Sequence, residues 1–293
     1  MKRLLYGLTC AAVTLLANTA DATLLSYEGF DYTNGQPLNA QNGGLGWNGN
    51  TWGADARYTI VSGLSLSDYP VSGNAVQMND DTGSTGVQLL ANRQVASTAN
   101  PTTLWYSYLY RPDATGNNNY NGLQLNTSTT DPNVSLLRSA NRGWSVATGG
   151  VGVDNGLTFG GQDFTDASTY LVISKFTGLN SGSIEGKWWS LRASEYDAIK
   201  AGGITEAELD TTNYDNATET VGITYGFDTS KYVQIQWVAS NAATQSGTFD
   251  ELRHATQLED LFTVAIPEPS TVTLFAIGIA LLTGCRRQFV RVG

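Results

Sequence analysis

Between its two ends the chain has no cysteine: Cys10 and Cys285 are the only two, and each falls in a terminal apolar stretch. The 244 residues from Thr23 to Ile266 therefore form no disulfide, hold no thiolate-bound metal and offer no Cys nucleophile. Histidine is almost as scarce. A Ser-His-Asp triad would depend wholly on His254, and a His-based metal site needs more than one imidazole. At the end of an expected strand, in Leu252-Arg253-His254-Ala255, this ring reads as structural or solvent-facing. Positive charge is sparse as well. Thr23 to Ile266 carries 11 Lys and Arg against 24 Asp and Glu, which leaves no electrostatic footprint for nucleic acid or an anionic membrane surface. No alternation of strand with helix runs along the chain, and this counts against an α/β fold.

What is present at the front is a three-part export signal over residues 1–22. Lys2 and Arg3 supply positive charge, residues 4–17 an apolar run, and Ala20-Asp21-Ala22 a small-x-small cleavage site that makes Thr23 the first mature residue and the Sec export machinery a partner. The apolar run is short for a spanning helix. Cys10 raises a lipoprotein alternative, but Thr9 precedes it where Gly or Ala would be expected.

At the back, Pro267-Glu268-Pro269 is followed by an uncharged apolar stretch over 271–284 and then by Arg286-Arg287. Neither proline has a backbone N–H, so a helix can start only after them. Fourteen helical residues reach about 21 Å, short of a hydrocarbon core of roughly 30 Å, so the stretch suits a transient inner-membrane anchor. The arginine pair would stay cytoplasmic, with the bulk of the chain outside the inner membrane. This order of features resembles the PEP-CTERM sorting signal. The resemblance implies a membrane protease partner, exosortase, that cuts near the Pro-Glu-Pro motif, and a Gram-negative host that makes extracellular polysaccharide. Residues 288–293 form a longer end than that family usually has.

Glycine, with 32 residues, accompanies abundant Asn, Ser and Thr, a mix suited to many short strands joined by turns. Strand-like runs fall at 57–61, 75–78, 87–90, 104–110, 122–125, 144–147, 170–176, 184–192, 221–227, 232–238 and 248–253. The expected fold is all-β, a two-sheet antiparallel jelly-roll sandwich over 23–264, followed by the sorting tail at 265–293. A signal helix and an apolar tail helix flank it. One helical excursion is expected over 194–209, with Ser194 as an N-cap and Thr205 with Glu208 as a capping box. Ser26-Tyr27-Glu28-Gly29-Phe30-Asp31-Tyr32, Asn42-Gly43-Gly44-Leu45-Gly46-Trp47, Trp188-Trp189-Ser190-Leu191-Arg192 and Phe249-Asp250-Glu251-Leu252-Arg253 resemble exported domains of the concanavalin A-like (laminin G-like) superfamily. Its members include lectins, glycan hydrolases, lyases and adhesion modules, so the resemblance implies a fold and leaves activity open.

The enzyme alternative is a retaining glucanase, which needs two carboxylates about 5 Å apart. Glu208-Leu209-Asp210-Thr211-Thr212-Asn213 approaches the pattern of laminarinase-type relatives but ends in Asn213 where they have Glu. Asp250 and Glu251 are adjacent, and adjacent residues of a regular strand face opposite ways. No catalytic residue is assigned. The binding candidates are aromatic and amide side chains: Trp47 and Trp52 in a Gly-rich loop, Tyr106, Tyr108 and Tyr110 on one strand face, and Tyr232, Gln234 and Gln236 on another. Aromatic planes cover the apolar face of a sugar and amides take its hydroxyls. Asn79 with Asp80 and Asp81, and Asp163 with Asp166, are candidate oxygen ligands for a structural Ca2+, without a defined loop pattern. The leading expectation is a non-catalytic surface or extracellular-matrix protein with a lectin-like domain that binds extracellular polysaccharide. A glycan hydrolase or lyase of the same fold, and a purely structural or adhesive protein, are the alternatives.

Overall fold

Runs of alternating or continuous apolar residues separated by Gly- and Asn-rich turns give fourteen strands among the described residues. In the computed structural model these residues are 24–80, 87–96, 101–112, 120–126, 132–139, 143–147, 167–179, 184–211, 219–221, 232–239 and 245–263. They lie within one unit, Thr23–Thr263. The strands are β1 (Leu24–Glu28), β2 (Gly53–Ala54), β3 (Tyr58–Ser62), β4 (Asn74–Asp80), β5 (Val87–Gln94), β6 (Thr103–Pro112), β7 (Tyr120–Asn126), β8 (Pro132–Ser139), β9 (Gly143–Ala147), β10 (Tyr170–Thr177), β11 (Ile184–Leu191), β12 (Glu219–Val221), β13 (Tyr232–Ala239) and β14 (Gln245–Ala255). Two short helices, α1 (Ala193–Lys200) and α2 (Glu206–Thr211), and a 3-10 turn, Glu259–Phe262, complete the set. The signal and tail helices expected from sequence lie outside the described residues. Among those described, no helix is long and apolar enough to cross a membrane.

All pairings are antiparallel. One sheet runs β12-β11-β10-β6-β14-β4-β3, with β1 also on β14; the other runs β2-β5-β13-β7-β8-β9. The main core lies between them. Leu89, Ala91, Val233 and Ile235 of the six-stranded sheet meet Tyr58, Ile60, Val76, Met78, Tyr106, Tyr108, Tyr110, Val172 and Phe249 of the eight-stranded sheet. The Tyr58 hydroxyl points across this core, 3.1 Å from the Leu89 carbonyl oxygen and 3.2 Å from that of Ile235, and shares its one hydrogen between them.

The eight-stranded sheet is buried on both faces at its central strands β6, β10 and β14. Its outer face, which includes Trp105, Leu109, Leu171, Ile173, Trp189 and Leu191, is covered by Leu64, Leu66 and Tyr69, by Tyr196 and Ile199 of α1, by Leu209 of α2, and by Leu258 and Leu261. Trp105 and Trp189 stack within this layer, 5.8 Å between ring centres. Burial on both sides explains the nearly continuous apolar sequence of β6 and β10, since neither face of a central strand meets water.

One expected boundary shifts. α1 begins after Arg192, not Ser194, because the Glu195 carboxylate accepts the Arg192 N–H at 2.7 Å. The Thr205–Glu208 capping box forms as expected: the Thr205 N–H donates to Glu208 Oε2 at 3.1 Å and the Glu208 N–H to Thr205 Oγ1 at 3.2 Å.

The Gly-Leu-Gly of 44–46 lies directly on β1. Leu45 exchanges backbone hydrogen bonds with Tyr27 at 2.8 and 2.9 Å. Gly46 has φ +73°, and a Cβ there would overlap the Leu25 carbonyl oxygen. Gly203 also has positive φ, +86°, but nothing lies within 4 Å of where its Cβ would be. Gly46→Ala is expected to cost more than about 2 kcal/mol and Gly203→Ala only about 1 kcal/mol, the backbone strain alone. Urea unfolding of the two variants checks this, and equal losses would contradict it.

Candidate functional site

A strand that ends in a buried acid needs a buried base, and here the two come from different sheets. Glu28 closes β1 and Arg93 lies in β5, both almost wholly inaccessible. Arg93 Nη1 donates to Glu28 Oε2 at 2.6 Å. The same carboxylate accepts from Trp52 Nε1 at 3.0 Å, the Tyr32 hydroxyl at 2.9 Å and the Phe30 N–H at 3.0 Å. The guanidinium also reaches Asn42 Oδ1 at 2.7 Å and the Asn50 carbonyl at 3.0 Å, and lies over the Trp47 ring at 5.0 Å. Burial pushes the Glu28 carboxyl up from the ordinary carboxylate value, while Trp52, Arg93, Tyr32 and the Phe30 N–H pull it back. Burial is the larger effect, and the four donors on its two oxygens oppose it by favouring the charged form.

A second buried set lies on β14. Glu251 has φ +53°, inside the register shift between Asp250 and Arg253. That bulge changes the expectation that Asp250 and Glu251 face opposite ways, since both reach the segment between β3 and β4. Asp250 Oδ2 accepts the Leu64 N–H at 2.8 Å, and Glu251 Oε1 accepts the Ser72 N–H and, at 3.2 Å, the Tyr27 hydroxyl. Arg253 pairs with Glu251 at 2.6 Å and donates to the Leu261 carbonyl at 2.7 Å. Burial, then the Glu251 charge, raises the Asp250 carboxyl well above its ordinary range. Neither acid has access to a substrate.

Several sequence candidates fall in these sets or in the core, and their assignment is corrected. Trp52, Tyr106, Tyr108 and Tyr110 are at most 1% exposed and Trp47 9%. Their faces are covered by protein: Trp47 against Trp52 at 5.8 Å, Tyr108 and Tyr110 against Phe249 at 5.9 and 5.0 Å. A ring packed in this way cannot cover a sugar. His254 is buried too, its Nδ1 2.8 Å from the Ser26 hydroxyl, so the solvent-facing alternative is dropped. Glu208 caps α2, and Asp210 accepts from Trp189 Nε1 at 3.2 Å and Lys187 Nζ at 3.3 Å. Those two are engaged structurally, and Asn213 lies outside the described residues. So do Asp81, Asp163 and Asp166; Asp80 ends β4. Among the described residues no group of three or more His, Cys, Asp or Glu side chains is placed to hold a metal ion.

The last candidates, Tyr232, Gln234 and Gln236, lie on β13. Val233 and Ile235 between them are fully buried in the core, so the alternation puts these three on the opposite face of the six-stranded sheet. At two of these three positions the register sets polar residues side by side across three strands, whereas Gln236 pairs with Leu90 and Gly122. Gln234 sits between Asn92 of β5 and Gln124 of β7, and Tyr232 between Gln94 and Asn126. Gln94 is half-buried, and its amide oxygen accepts from Asn48 at 3.2 Å and Asn50 at 2.7 Å in exposed bonds. Sequence reading missed the Glu28–Arg93 pair. The signal was present: one arginine in an otherwise uncharged β5 and one glutamate at the end of an apolar strand are charges that burial obliges to pair.

Burial lowers the His254 imidazole to about 3. The folded state therefore keeps a neutral ring, whereas the unfolded chain takes up a proton below about pH 6.5. The associated stability is complete above that pH and is lost as the pH falls from 6.5 toward 3. Urea unfolding should show the natural chain losing on the order of 3 kcal/mol more than His254→Gln between pH 7 and pH 4. Equal losses would contradict this.

No curated protein sequence matches the chain. Among solved structures, it is similar to a protein of unknown function from Shewanella oneidensis MR-1, with 10% identity, 84% of this chain and 93% of that one covered, and TM-score 0.41. A carbohydrate esterase from the Shiga toxin-encoding bacteriophage phi24B gives 12%, 79%, 97% and 0.42. The CBM22-1 xylan-binding domain of Paenibacillus barcinonensis Xyn10C gives 10%, 80%, 94% and 0.29. Residues 265–288 match the PEP-CTERM protein-sorting motif, so the chain is an exported protein sorted by exosortase.

Proposed function

We propose that this is a non-catalytic surface or extracellular-matrix protein whose jelly-roll sandwich, of the concanavalin A-like kind, binds extracellular polysaccharide through the outer face of its six-stranded sheet. The observation that carries the reading is the row of uncharged amides set by the β5-β13-β7 register, Asn92, Gln234 and Gln124 beside Gln94, Tyr232 and Asn126. Amides donate to and accept from sugar hydroxyls without the desolvation cost of charged groups. The candidate acids are all engaged within the protein, which supports a non-catalytic role. Glu28, Asp250 and Glu251 are buried with protein partners, and Glu208 and Asp210 hold the cap of α2 and the Trp189 indole. The tail would anchor the chain transiently in the inner membrane until exosortase releases or transfers it to the surface.

Affinity electrophoresis of the exported chain through gels containing laminarin, a neutral glucan, tests the proposal. Retardation in the natural chain, reduced several-fold in Gln234→Ala/Gln236→Ala with unchanged thermal unfolding, is expected. Unretarded migration, or release of reducing ends from laminarin by the natural chain, would overturn it.

A further inference from the structure

The helical layer on the other side of the eight-stranded sheet forms a cleft of about 350 Å3 that the amide face does not involve. Tyr196 of α1, Ile204 and Phe262 give it apolar walls, and Lys200, Thr205 and Glu259 supply polar groups. Ile204 and Phe262 are only half-buried, and Thr205 and Glu259 are exposed. The opening is kept by the turn after α1. Gly203 has positive φ and nothing within 4 Å of its Cβ position, so no side chain fills the space. The walls are fixed from behind, since the Tyr69 ring meets Tyr196 and Phe262 edge-on at 5.8 and 6.2 Å.

The charges decide the ligand class. Lys200 is the cation lining the cleft, and it is already matched: Asp68 lies 2.7 Å and Asp197 2.5 Å from its Nζ. Those hydrogen bonds, that to Asp197 first, hold its ammonium up at about 12, so it stays charged and engaged. Glu259 adds a carboxylate at the rim. A uronate or sulfated sugar would meet net negative charge in a domain already rich in acid, whereas a neutral ring would not. The half-exposed Phe262 ring offers a plane for the apolar face of a pyranose, and Glu259 and Thr205 offer oxygens for its hydroxyls. The volume is at the lower end of the range for small-molecule sites, enough for one or two sugar rings.

We propose that this cleft is a second saccharide site, specific for a short stretch of neutral sugar and distinct from the amide face. It rests on the polysaccharide-binding reading above and adds the ligand class and a separate place for it. Calorimetric titration of the full chain in mild detergent with laminaritriose tests it, with a mannuronate trimer as the charged comparison. The natural chain should bind laminaritriose and not the mannuronate trimer. Glu259→Lys, at an exposed position, and Phe262→Ala should each weaken laminaritriose at least tenfold, while Gln234→Ala/Gln236→Ala leaves it unchanged. Laminaritriose affinity that survives Glu259→Lys and Phe262→Ala but falls in the Gln234 and Gln236 variant overturns the cleft and spares the amide face. So does no laminaritriose binding in a chain that laminarin gels still retard. Tighter binding of the mannuronate trimer overturns the ligand class. Glu259→Lys keeps the test decisive if Phe262→Ala fails to fold.

Discussion

The Glu28–Arg93 pair is the constraint on which the entry into this fold depends. One partner comes from the eight-stranded sheet and the other from the six-stranded sheet, at 2.6 Å and almost without solvent. Removing either would strand a buried charge, which costs far more than the intact pair contributes. The requirement propagates outward. The carboxylate recruits Trp52, Tyr32 and the Phe30 N–H, and the guanidinium recruits Asn42 and the Asn50 carbonyl. Every one of these lies in the Gly- and Asn-rich segment after β1, so the pair fixes the course of more than twenty residues that have little regular structure of their own.

Arg253 and Glu251 do the same at the other end of the chain. They hold the segment between β3 and β4 and the 3-10 turn against β14. The left-handed backbone at Glu251 is the local cost of aiming two neighbouring acids at one segment. The motifs that gave the sequence its family likeness are therefore motifs of assembly. Tyr27, Phe30, Trp47, Trp189 and Phe249, with the acids Glu28, Asp250 and Glu251, are spent inside the protein.

Much of the sheet framework was legible because period-2 alternation and turn residues report it directly. β6, β10 and β13 fall where runs of Tyr, Val, Ile and Trp predict strands, and β14 spans the expected run at 248–253. β8 was not read: it opens at Pro132 and mixes Asn, Ser and Arg with its apolar residues. β1 and β2 were missed because one sits within the opening motif and the other has two residues. The face of an aromatic strand was harder to judge. The alternation in β6 put Tyr106, Tyr108 and Tyr110 together, as they are, but could not say that a second sheet covers that face and a helical layer the other. In β13 the alternation did place Val233 and Ile235 in the core between the sheets, where both are fully buried. The cleft was not legible at all, since its residues come from α1, the turn after it and the 3-10 turn near the end of the domain.

The most direct measurement is a double-mutant cycle on Glu28→Gln and Arg93→Met, read by urea unfolding of the full chain. If the pair organises the segment after β1, each single variant loses about 3–5 kcal/mol and the double variant loses far less than their sum. Additive losses, or single variants as stable as the natural chain, would contradict the account.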